Sequence, residues 1–411
     1  MSPRTIQRNS RPNTTTMAQL AAWFLGTSVT VSILVFIVLF GQLPAFGAGP
    51  LGAANRFILH DIPSCLSSLD RRICGGKLCP IVMSIGDGLM NKKHPLVLIL
   101  YLVLMTGGSY LFLRNGYTEI PNEALGSKHI YLIPLTILLP YVALYLAASS
   151  DPGFISSHNH HTAMSLYPYD QIIFRAVPNP EECRTCRWAK PARSKHCGLC
   201  ARCVAKMDHH CAWINNCVGT RNTRHFLGFL AANAITLTYG TYLTYHVLYL
   251  KMSGSDEDQL WVRWINTMAE YRELGAVFIL CLMCSLIMIG FLVAHMYLIW
   301  AGTTTNDSLK WGDIKYALKK GTIVVFDDEG RGSPTADYDA TRWPWGGMKG
   351  RRRGVIAVDA DGNVPEEIRD CITNLRDLEN IYDRGFLRNM TEVLWPPKLM
   401  ANMLNDHTAL C

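Results

Sequence analysis

The sequence predicts an α-helical integral membrane protein with about five transmembrane helices and a cytosolic zinc-binding, cysteine-rich domain. Three observations predict this class. Of the 411 residues, 49% are hydrophobic and only 17% are charged. Five stretches are apolar over about the 20 residues that a helix needs to cross a bilayer. Seven of the fourteen cysteines fall between Cys183 and Cys217.

The composition excludes several other classes of protein. The chain is too apolar for an ordinary cytosolic protein and too rich in apolar residues for a disordered one. Its net charge of +7 arises from 39 basic and 32 acidic residues, so the charge does not predict binding to nucleic acid. Because the cysteines are concentrated in one segment, we do not expect a disulfide framework through the whole chain.

The predicted spans cover residues 20 to 40, 96 to 113, 130 to 148, 226 to 250 and 274 to 300. The first stretch also resembles a signal peptide, but its long apolar run and the lack of a small-residue cleavage site favour a retained span. The third contains two prolines, Pro134 and Pro140, which a membrane helix tolerates when its neighbours bond the freed carbonyl groups. The fourth carries Asn233 and several hydroxyl side chains, so we expect it to face other helices.

The loops between the spans predict the orientation, because loops rich in Lys and Arg stay on the cytoplasmic side. Residues 151 to 225 hold ten basic and five acidic side chains, whereas residues 251 to 273 hold three basic and five acidic ones. We therefore expect the first of these loops in the cytosol and the second in the lumen. With five spans, the N-terminus would be lumenal and the C-terminus cytosolic.

These boundaries divide the chain into five predicted segments. Residues 1–95 form an N-terminal segment with the first transmembrane span and a cytosolic loop, and residues 96–150 form a transmembrane hairpin. Residues 151–225 form the cytosolic cysteine-rich domain. A second transmembrane hairpin at 226–300 precedes a cytosolic C-terminal tail at 301–411.

The C-terminal tail contains three predicted elements. A short amphipathic helix is expected from Trp311 to Lys320, followed by a strand from Thr322 to Phe326. A second amphipathic helix is expected from about Pro365 to Tyr382, where five aliphatic residues recur on one face.

The cysteine-rich segment has the spacing of metal ligands. It reads Cys183-x2-Cys186-x9-His196-Cys197-x2-Cys200-x2-Cys203-x4-Asp208-His209-His210-Cys211-x5-Cys217. Two cysteines separated by two residues can bind one tetrahedral zinc ion, and a distant Cys and His complete the four ligands. Two overlapping sets result: Cys183, Cys186, His196 and Cys203 form the first, and Cys197, Cys200, His210 and Cys217 form the second.

Two residues of this segment, His209 and Cys211, are left over by that assignment. A zinc ion with four protein ligands has no open position for chemistry, so a reaction would need residues outside both sets. Cys211 is then a candidate nucleophile and His209 its candidate base. Asp208 would orient or charge the imidazole. The thiolate is the reactive form of cysteine, and a paired histidine favours it at neutral pH.

Two alternatives remain open on the residues alone. A dense Cys and His array is typical of a purely structural zinc module, so the chain could be a non-catalytic zinc-binding membrane scaffold. The CxxC pairs could also cycle as a membrane thiol oxidoreductase, although interleaved pairs with two histidines fit metal better. Replacement of Cys211 by Ser separates the scaffold from an enzyme, and a metal assay tests the oxidoreductase.

The same segment resembles the DHHC protein S-acyltransferases, also called palmitoyltransferases. The resemblance is carried by Asp208-His209-His210-Cys211 within its cysteine frame, followed by Asn222 and Phe226. Asp151-Pro152-Gly153 is similar to the family's DPG motif. Thr304-Thr305-Asn306-Asp307 is similar to its TTxE motif, with Asp in place of Glu.

The C-terminal tail extends this resemblance, because the segment from Tyr382 to Asn389 is similar to a Tyr and Asn motif of the family. The resemblance covers residues 96 to 395. It implies a protein-cysteine S-palmitoyltransferase in which Cys211 accepts a long acyl chain from palmitoyl-CoA as a thioester. The acyl chain then passes to a cysteine of a target protein.

The family pattern also implies roles for the neighbouring residues. His209 would deprotonate Cys211, Asp208 would polarise His209, and Thr305 would hydrogen-bond to Asp208. His210 would be a ligand of one of two structural Zn²⁺ ions rather than a base. The shorter side chain of Asp307 would affect only a peripheral contact.

The extra N-terminal span and the Thr-rich motif resemble the fungal endoplasmic-reticulum subgroup of the family, which acylates SNAREs and other single-span proteins. This implies a multi-pass protein of the endoplasmic-reticulum membrane whose partners are acyl-CoA and transmembrane proteins with cysteines beside their membrane helix. No nucleic-acid partner is expected. His295, near the end of the last span, is expected to be a packed or interfacial residue.

Overall fold

The computed structural model describes residues 49–73, 75–77, 79–80, 93–120, 126–169, 182–252, 259–319, 323–327, 353–357 and 380–396, with a few isolated positions before residue 85. Within these residues the chain forms ten α-helices and six short β-strands. The helices are α1 (Pro50–Arg56), α2 (Ile62–Ile73), α3 (Leu96–Asn115), α4 (His129–Ser149), α5 (His160–Met164), α6 (Thr223–Met252), α7 (Leu260–Glu270), α8 (Arg272–Trp300), α9 (Thr305–Lys319) and α10 (Phe386–Leu394). The strands are β1 (Lys195–Cys197), β2 (Arg202–Val204), β3 (His209–Cys211), β4 (Asn216–Val218), β5 (Ile323–Asp327) and β6 (Arg353–Ala357).

Four of these helices are long and apolar enough to cross a membrane: α3, α4, α6 and α8. They coincide with the four predicted spans after residue 95, and their ends differ from the predicted ends by at most three residues. The predicted first span, residues 20 to 40, lies outside the described residues apart from isolated positions. The prediction of a helical membrane protein is confirmed.

The chain divides into two compact units, each assembled from separate stretches. The first comprises Met1–Phe40, Ile99–Ala143 and Phe229–Leu292, and the second comprises Gly41–Leu98, Leu144–Gly228 and Val293–Cys411. The second unit therefore contains the whole cysteine-rich segment and the start of α9. The division into five consecutive segments stays a prediction.

The first unit is held by an apolar core to which all four spans contribute. Its buried residues are Phe112, Ile120, Ile133, Leu243, Val247, Leu248, Leu274 and Val277. Polar contacts between the spans add to this core. The Tyr101 hydroxyl of α3 donates to Asn233 Oδ1 of α6 at 2.9 Å, so Asn233 faces another helix as its composition predicts.

Pro140 interrupts the hydrogen bonds of α4, and α6 compensates for the interruption. A proline has no backbone N–H, so the carbonyl of Thr136, four residues earlier, has no helical donor. The Thr236 hydroxyl of α6 donates to that carbonyl at 2.7 Å. Both residues belong to the first unit. The proline is therefore tolerated in the way expected for a membrane helix.

Helix α9 begins at Thr305, six residues before the expected start at Trp311. Thr304 Oγ1 accepts a hydrogen bond from the Asp307 backbone N–H at 3.1 Å, and Asp307 Oδ2 accepts one from the Thr304 backbone N–H at 3.3 Å. This reciprocal pair is a capping box, which fixes the first turn of a helix. The Thr-Thr-Asn-Asp motif therefore starts the helix, and Trp311 and Ile314 bury its apolar face.

Of two other expectations for regions outside the spans, one is corrected and one is confirmed. Residues 41 to 95, expected as a loop, contain α1 and α2 joined by a π-helical turn at Phe57–Asp61. The apolar residues of α2 recur every three or four positions, a helical period that the loop assignment overlooked. The expected strand at Thr322 to Phe326 is confirmed as β5, which pairs antiparallel with β6.

Most of the second helix expected in the C-terminal tail, from Pro365 to Tyr382, lies outside the described residues. At its described end, Ile381 and Tyr382 form a turn. The Tyr382 hydroxyl donates to the Pro168 carbonyl at 2.7 Å. Helix α10, which follows, was not predicted.

Gly302 joins α8 to α9 at a position that only glycine suits. Its φ of 62° lies in the left-handed region. A Cβ at this position would lie 2.5 Å from the Cα of Asp383. The connection between the last span and the capping box therefore depends on close approach of two backbones.

We expect Gly302→Ala to lower the thermal unfolding midpoint of the detergent-solubilised protein, because backbone strain and the close contact together cost about 2 kcal/mol or more. The matched control is Gly312→Ala in α9, where a Cβ would meet nothing within 4 Å. Alanine is favoured over glycine within a helix by up to about 1 kcal/mol. Equal midpoints for the two variants would contradict the close approach at Gly302.

Candidate active site

The candidate zinc ligands come from two copies of one substructure. Strands β1 and β2 form an antiparallel hairpin in which His196 lies opposite Cys203. Strands β3 and β4 form another in which His210 lies opposite Cys217. Each hairpin therefore supplies one His and one Cys from facing positions, where side chains of neighbouring strands meet.

The remaining ligands come from two CxxC turns with the same local geometry. In each turn the backbone N–H of the second cysteine, Cys186 or Cys200, donates to the sulfur of the first at 3.4 Å. The next residue, Arg187 or Ala201, has a positive φ of 62° or 52°. The two turns thus present paired sulfurs in the same way.

The first ligand set forms a compact tetrad. His196 Nδ1 lies 3.6 Å from Cys183 Sγ, 3.4 Å from Cys186 Sγ and 3.7 Å from Cys203 Sγ. The sulfurs of Cys186 and Cys203 are 3.7 Å apart. Tetrahedral zinc with ordinary bond lengths requires about 3.6 Å between nitrogen and sulfur and about 3.8 Å between sulfurs. The residues present therefore fit a zinc ion.

The second ligand set repeats these distances. His210 Nδ1 lies 3.6 Å from Cys197 Sγ, 3.4 Å from Cys200 Sγ and 3.5 Å from Cys217 Sγ. The sulfurs of Cys200 and Cys217 are 3.6 Å apart. A redox dithiol needs only two sulfurs, whereas each tetrad here gathers three sulfurs and an imidazole. The geometry favours metal binding over a dithiol switch.

Strand β3 separates the candidate catalytic residues from the candidate zinc ligand between them. Successive side chains of a strand point to opposite faces. His209 and Cys211 therefore share one face of β3, and His210 lies on the other with the second tetrad. Cys211 is buried, with 6% of its surface exposed.

The Asp208 carboxylate is held by three hydrogen bonds. His209 Nδ1 donates to Oδ2 at 2.6 Å, the Thr305 backbone N–H donates to Oδ1 at 2.5 Å, and Thr305 Oγ1 donates to Oδ2 at 3.0 Å. Thr305 is the first residue of α9, so the carboxylate lies at the positive end of the helix dipole. Burial alone would raise the pKa of Asp208, but the hydrogen bond from His209 and the nearby His295 hold it well below its usual range.

His209 and Cys211 form a charge pair. Burial opposes the imidazolium, but the hydrogen bonds and charges of Asp208 and Cys211 outweigh it and raise the pKa of His209 to about 10. Burial also opposes the thiolate, but the hydrogen bond and charge of His209 and the backbone N–H groups of Ile214 and Trp213 lower the pKa of Cys211 overall. Both shifts favour an imidazolium paired with a thiolate, which is the nucleophilic form of cysteine.

His295 is the residue of this site that the sequence did not reveal. Its Nε2 lies 3.6 Å from Asp208 Oδ2. Its ring packs 5.0 Å from the ring of Phe226, which lies 5.1 Å from the ring of His209. His295 is packed, as expected, but it also faces the carboxylate. The available signal was an ionisable side chain within a span, ten residues before Thr305.

Asp307 is not a peripheral residue, contrary to the expectation. It is fully buried, as is Arg193, of which 2% is exposed. Arg193 donates to Asp307 Oδ2 through Nε at 2.8 Å and Nη2 at 2.6 Å, and Nη2 also donates to the Gly302 carbonyl at 3.0 Å. A buried charge pair needs such extra bonds to offset its desolvation. The shorter Asp therefore retains a central contact.

Polar side chains also fix the chain where it leaves α4. Asn216 of β4 donates to the Ser150 carbonyl at 2.8 Å, which satisfies one of the free carbonyls after the helix. Asp151 accepts the Gly153 backbone N–H at 2.9 Å and the Arg221 guanidinium at 2.6 Å. The Asp-Pro-Gly motif is thereby joined to the segment that follows β4.

Comparison with known proteins shows which family the chain belongs to. Residues 177–312 match the DHHC palmitoyltransferase family. The chain is 35% identical to palmitoyltransferase swf1 of Schizosaccharomyces pombe, with 91% of this chain and 96% of that protein covered. It is 33% identical to palmitoyltransferase swf1 of Emericella nidulans, with 88% and 94% covered, and 31% identical to palmitoyltransferase SWF1 of Neurospora crassa, with 93% and 92% covered. The chain belongs to the DHHC palmitoyltransferase family.

Proposed function

We propose that this enzyme transfers a long acyl chain from palmitoyl-CoA to cysteines of membrane proteins through a thioester on Cys211. The observation that carries the proposal is the buried Asp208, His209 and Cys211 arrangement outside both tetrads. The relatives named above as palmitoyltransferases support it. A non-catalytic scaffold does not require a thiolate paired with an imidazolium, and none of these relatives is named as one.

In the first half of the reaction, the Cys211 thiolate attacks the thioester carbonyl of palmitoyl-CoA. The bond between the acyl carbon and the CoA sulfur breaks, and the departing CoA thiolate takes the proton of the His209 imidazolium. Asp208 holds His209 through Nδ1, which leaves Nε2 for the sulfur atoms. This step leaves acylated Cys211, neutral His209 and free CoA.

In the second half, neutral His209 accepts the proton of a target cysteine. The resulting thiolate attacks the acyl carbon on Cys211, and the Cys211 sulfur departs as a thiolate. The imidazolium and thiolate pair is thereby restored. The buried, anionic Asp208 stabilises the imidazolium in both halves.

Two structural zinc ions are part of the proposal, one in each tetrad. Each tetrad offers four protein ligands, so neither ion would have an open position for substrate. The ions would fix the two hairpins. Since His209 and Cys211 lie on β3 of the second hairpin, the metal frame would set the distance between the base and the nucleophile.

The chemistry of the donor also supports the proposed location. The acyl chain of palmitoyl-CoA partitions into lipid while the CoA head stays in water, so the nucleophile must lie at a bilayer surface. The loop charges support a cytosolic position for residues 151–225 and the C-terminal tail, and a lumenal N-terminus. The fungal resemblance favours the endoplasmic-reticulum membrane, with SNAREs among the transmembrane targets.

We expect Cys211→Ser to abolish protein-bound label after incubation with labelled palmitoyl-CoA in detergent, because a hydroxyl cannot form the thioester. The label on the wild type should be released by neutral hydroxylamine. Cys65→Ser, at an exposed cysteine of α2, is the matched control and should label like the wild type. Label retained on Cys211→Ser would contradict the assignment of the nucleophile.

We expect Thr305→Ala to slow thioester formation by about 10- to 100-fold, because a hydrogen bond to a charged group contributes about 1.5–3 kcal/mol. Thr305→Ser should restore the rate, since it keeps the hydroxyl. Thr303→Ala is a neighbouring control, because within the described part of the chain the Thr303 hydroxyl bonds only to the Leu298 carbonyl, at 3.4 Å. Single-turnover labelling measures all three, and an Ala-like rate for Thr305→Ser would count against the contact with Asp208.

We expect about two zinc ions per chain in the purified enzyme by elemental analysis, one for each tetrad. Cys203→Ser should lose zinc and lower the unfolding midpoint, because it removes a buried ligand of the first tetrad. Cys211→Ser should keep the full zinc content. A zinc-free wild type that is active in thiol exchange would instead support the oxidoreductase.

A further inference from the structure

Helix α10 has its polar and apolar faces reversed relative to a surface helix of a soluble protein. The face turned into the second unit carries Asn389, 5% exposed, and Glu392, 6% exposed. Lys206 Nζ donates to Glu392 Oε1 at 2.6 Å, and the Tyr167 hydroxyl donates to it at 2.7 Å. Arg384 bonds the other carboxylate oxygen. The polar face is thus fixed by buried partners.

The inward face also buries Val393, and the exposed side of α10 carries an apolar stripe. Phe386, Leu387, Met390 and Leu394 fall within an arc of about 100° at 3.6 residues per turn. Leu387 is 79% exposed, and Trp395, directly after the helix, is 65% exposed. We call the four helical residues the outer stripe. An apolar stripe of this kind is unfavourable in water and marks a surface that something apolar covers.

Helix α10 is tied to the ends of two spans, through its middle and through its last residue. Asn389 Nδ2 donates to the carbonyl of Trp300, the last residue of α8, at 3.4 Å. Arg224, the second residue of α6, donates from Nη1 to the Leu394 carbonyl at 3.1 Å. Consecutive spans run in opposite directions, so the start of α6 and the end of α8 lie at the same membrane surface. Trp300 itself is 58% exposed, as is typical of an aromatic residue at a membrane interface.

We propose that α10 lies on the bilayer with its outer stripe among the lipid headgroups and the first carbons of the acyl chains. The bonds to Trp300 and Arg224 hold α10 at the level where α8 ends and α6 begins, which favours lipid over a protein partner. The exposed Arg224 at the start of α6 suits the anionic headgroups at this level. Amphipathic interfacial helices bury their apolar face to a depth of about 5–10 Å in this zone.

Contact of the outer stripe with lipid would give α10 two partners on different faces. Glu392 binds Lys206 of the cysteine-rich segment on one face, and Leu387 meets lipid on the other. The helix thereby ties the cysteine-rich segment to the membrane surface independently of the spans. The inference does not depend on the proposed reaction, because it concerns only where α10 lies.

The test uses the full chain in nanodiscs of phosphatidylcholine and phosphatidylserine. A small environment-sensitive fluorescent amino acid replaces Leu387 in one variant and Arg388 in the matched control. We expect the probe at 387 to emit at shorter wavelength, to be quenched by lipids with a nitroxide on the acyl chain, and to be protected from aqueous iodide. The probe at 388 should emit at longer wavelength, escape quenching by the nitroxide lipids and be quenched by iodide.

Two results would overturn the proposal. Equal iodide quenching at 387 and 388 would mean that the stripe faces water, and protection of 387 from both quenchers would mean that protein covers it.

A second measurement avoids the bulky probe. Leu387→Asp should speed amide hydrogen exchange of α10 in nanodiscs, whereas Arg388→Asp, at an exposed polar position of the same helix, should not. Unchanged exchange in Leu387→Asp would also oppose a lipid contact.

Discussion

The Asp208 carboxylate is the contact on which the second unit depends. It bonds His209 at the start of β3, bonds the first residue of α9, and faces His295 of α8. A buried charge is stable only with its partners in place. The hairpin of β3 and β4, helix α9 and the end of α8 must therefore meet in one arrangement. The capping box and the pair of Arg193 with Asp307 then hold the start of α9 against this carboxylate. Displacement of any one element would leave a charge without its partner in a dry site.

A three-residue strand combines two functions through the two-residue period of its side chains. On β3, His210 faces the second tetrad, while His209 and Cys211 face the buried carboxylate side. The same hairpin geometry occurs at β1 and β2, where Ser194 and Lys195 stand in place of Asp208 and His209. Cys197 is there the equivalent of Cys211, but it belongs to the second tetrad. The candidate chemistry therefore arises from an acidic residue and a histidine added to one copy of a repeated metal-binding hairpin, and from a cysteine that lies outside both tetrads.

Hydropathy was sufficient to predict the four described spans, and cysteine spacing was sufficient to group the eight tetrad residues, because both signals are local. The contacts of His295 and Arg193 could not be predicted in this way. Arg193 and Asp307 are 114 residues apart, and no sequence period connects them. Helix α10 escaped detection because its polar residues Asn389 and Glu392 point inward. A search that assigns every polar residue to the solvent side places the faces of such a helix in reverse. The start of α9 was predicted too late for the same reason, because the polar residues Thr304 and Asp307 of its capping box are buried.

The lengths of α6 and α8 bear on how far the proposed nucleophile lies from the centre of the bilayer. Helix α6 has 30 residues and α8 has 29. At about 1.5 Å per residue each is about 45 Å long, whereas the hydrocarbon core is about 30 Å thick. We expect part of this excess at their shared end, where Arg224 is exposed and where Phe226 and His295 lie beside His209. The proposed nucleophile would then lie outside the hydrocarbon, near the bilayer surface. The enzyme would then select a target cysteine by its distance from the bilayer surface rather than by the sequence around it.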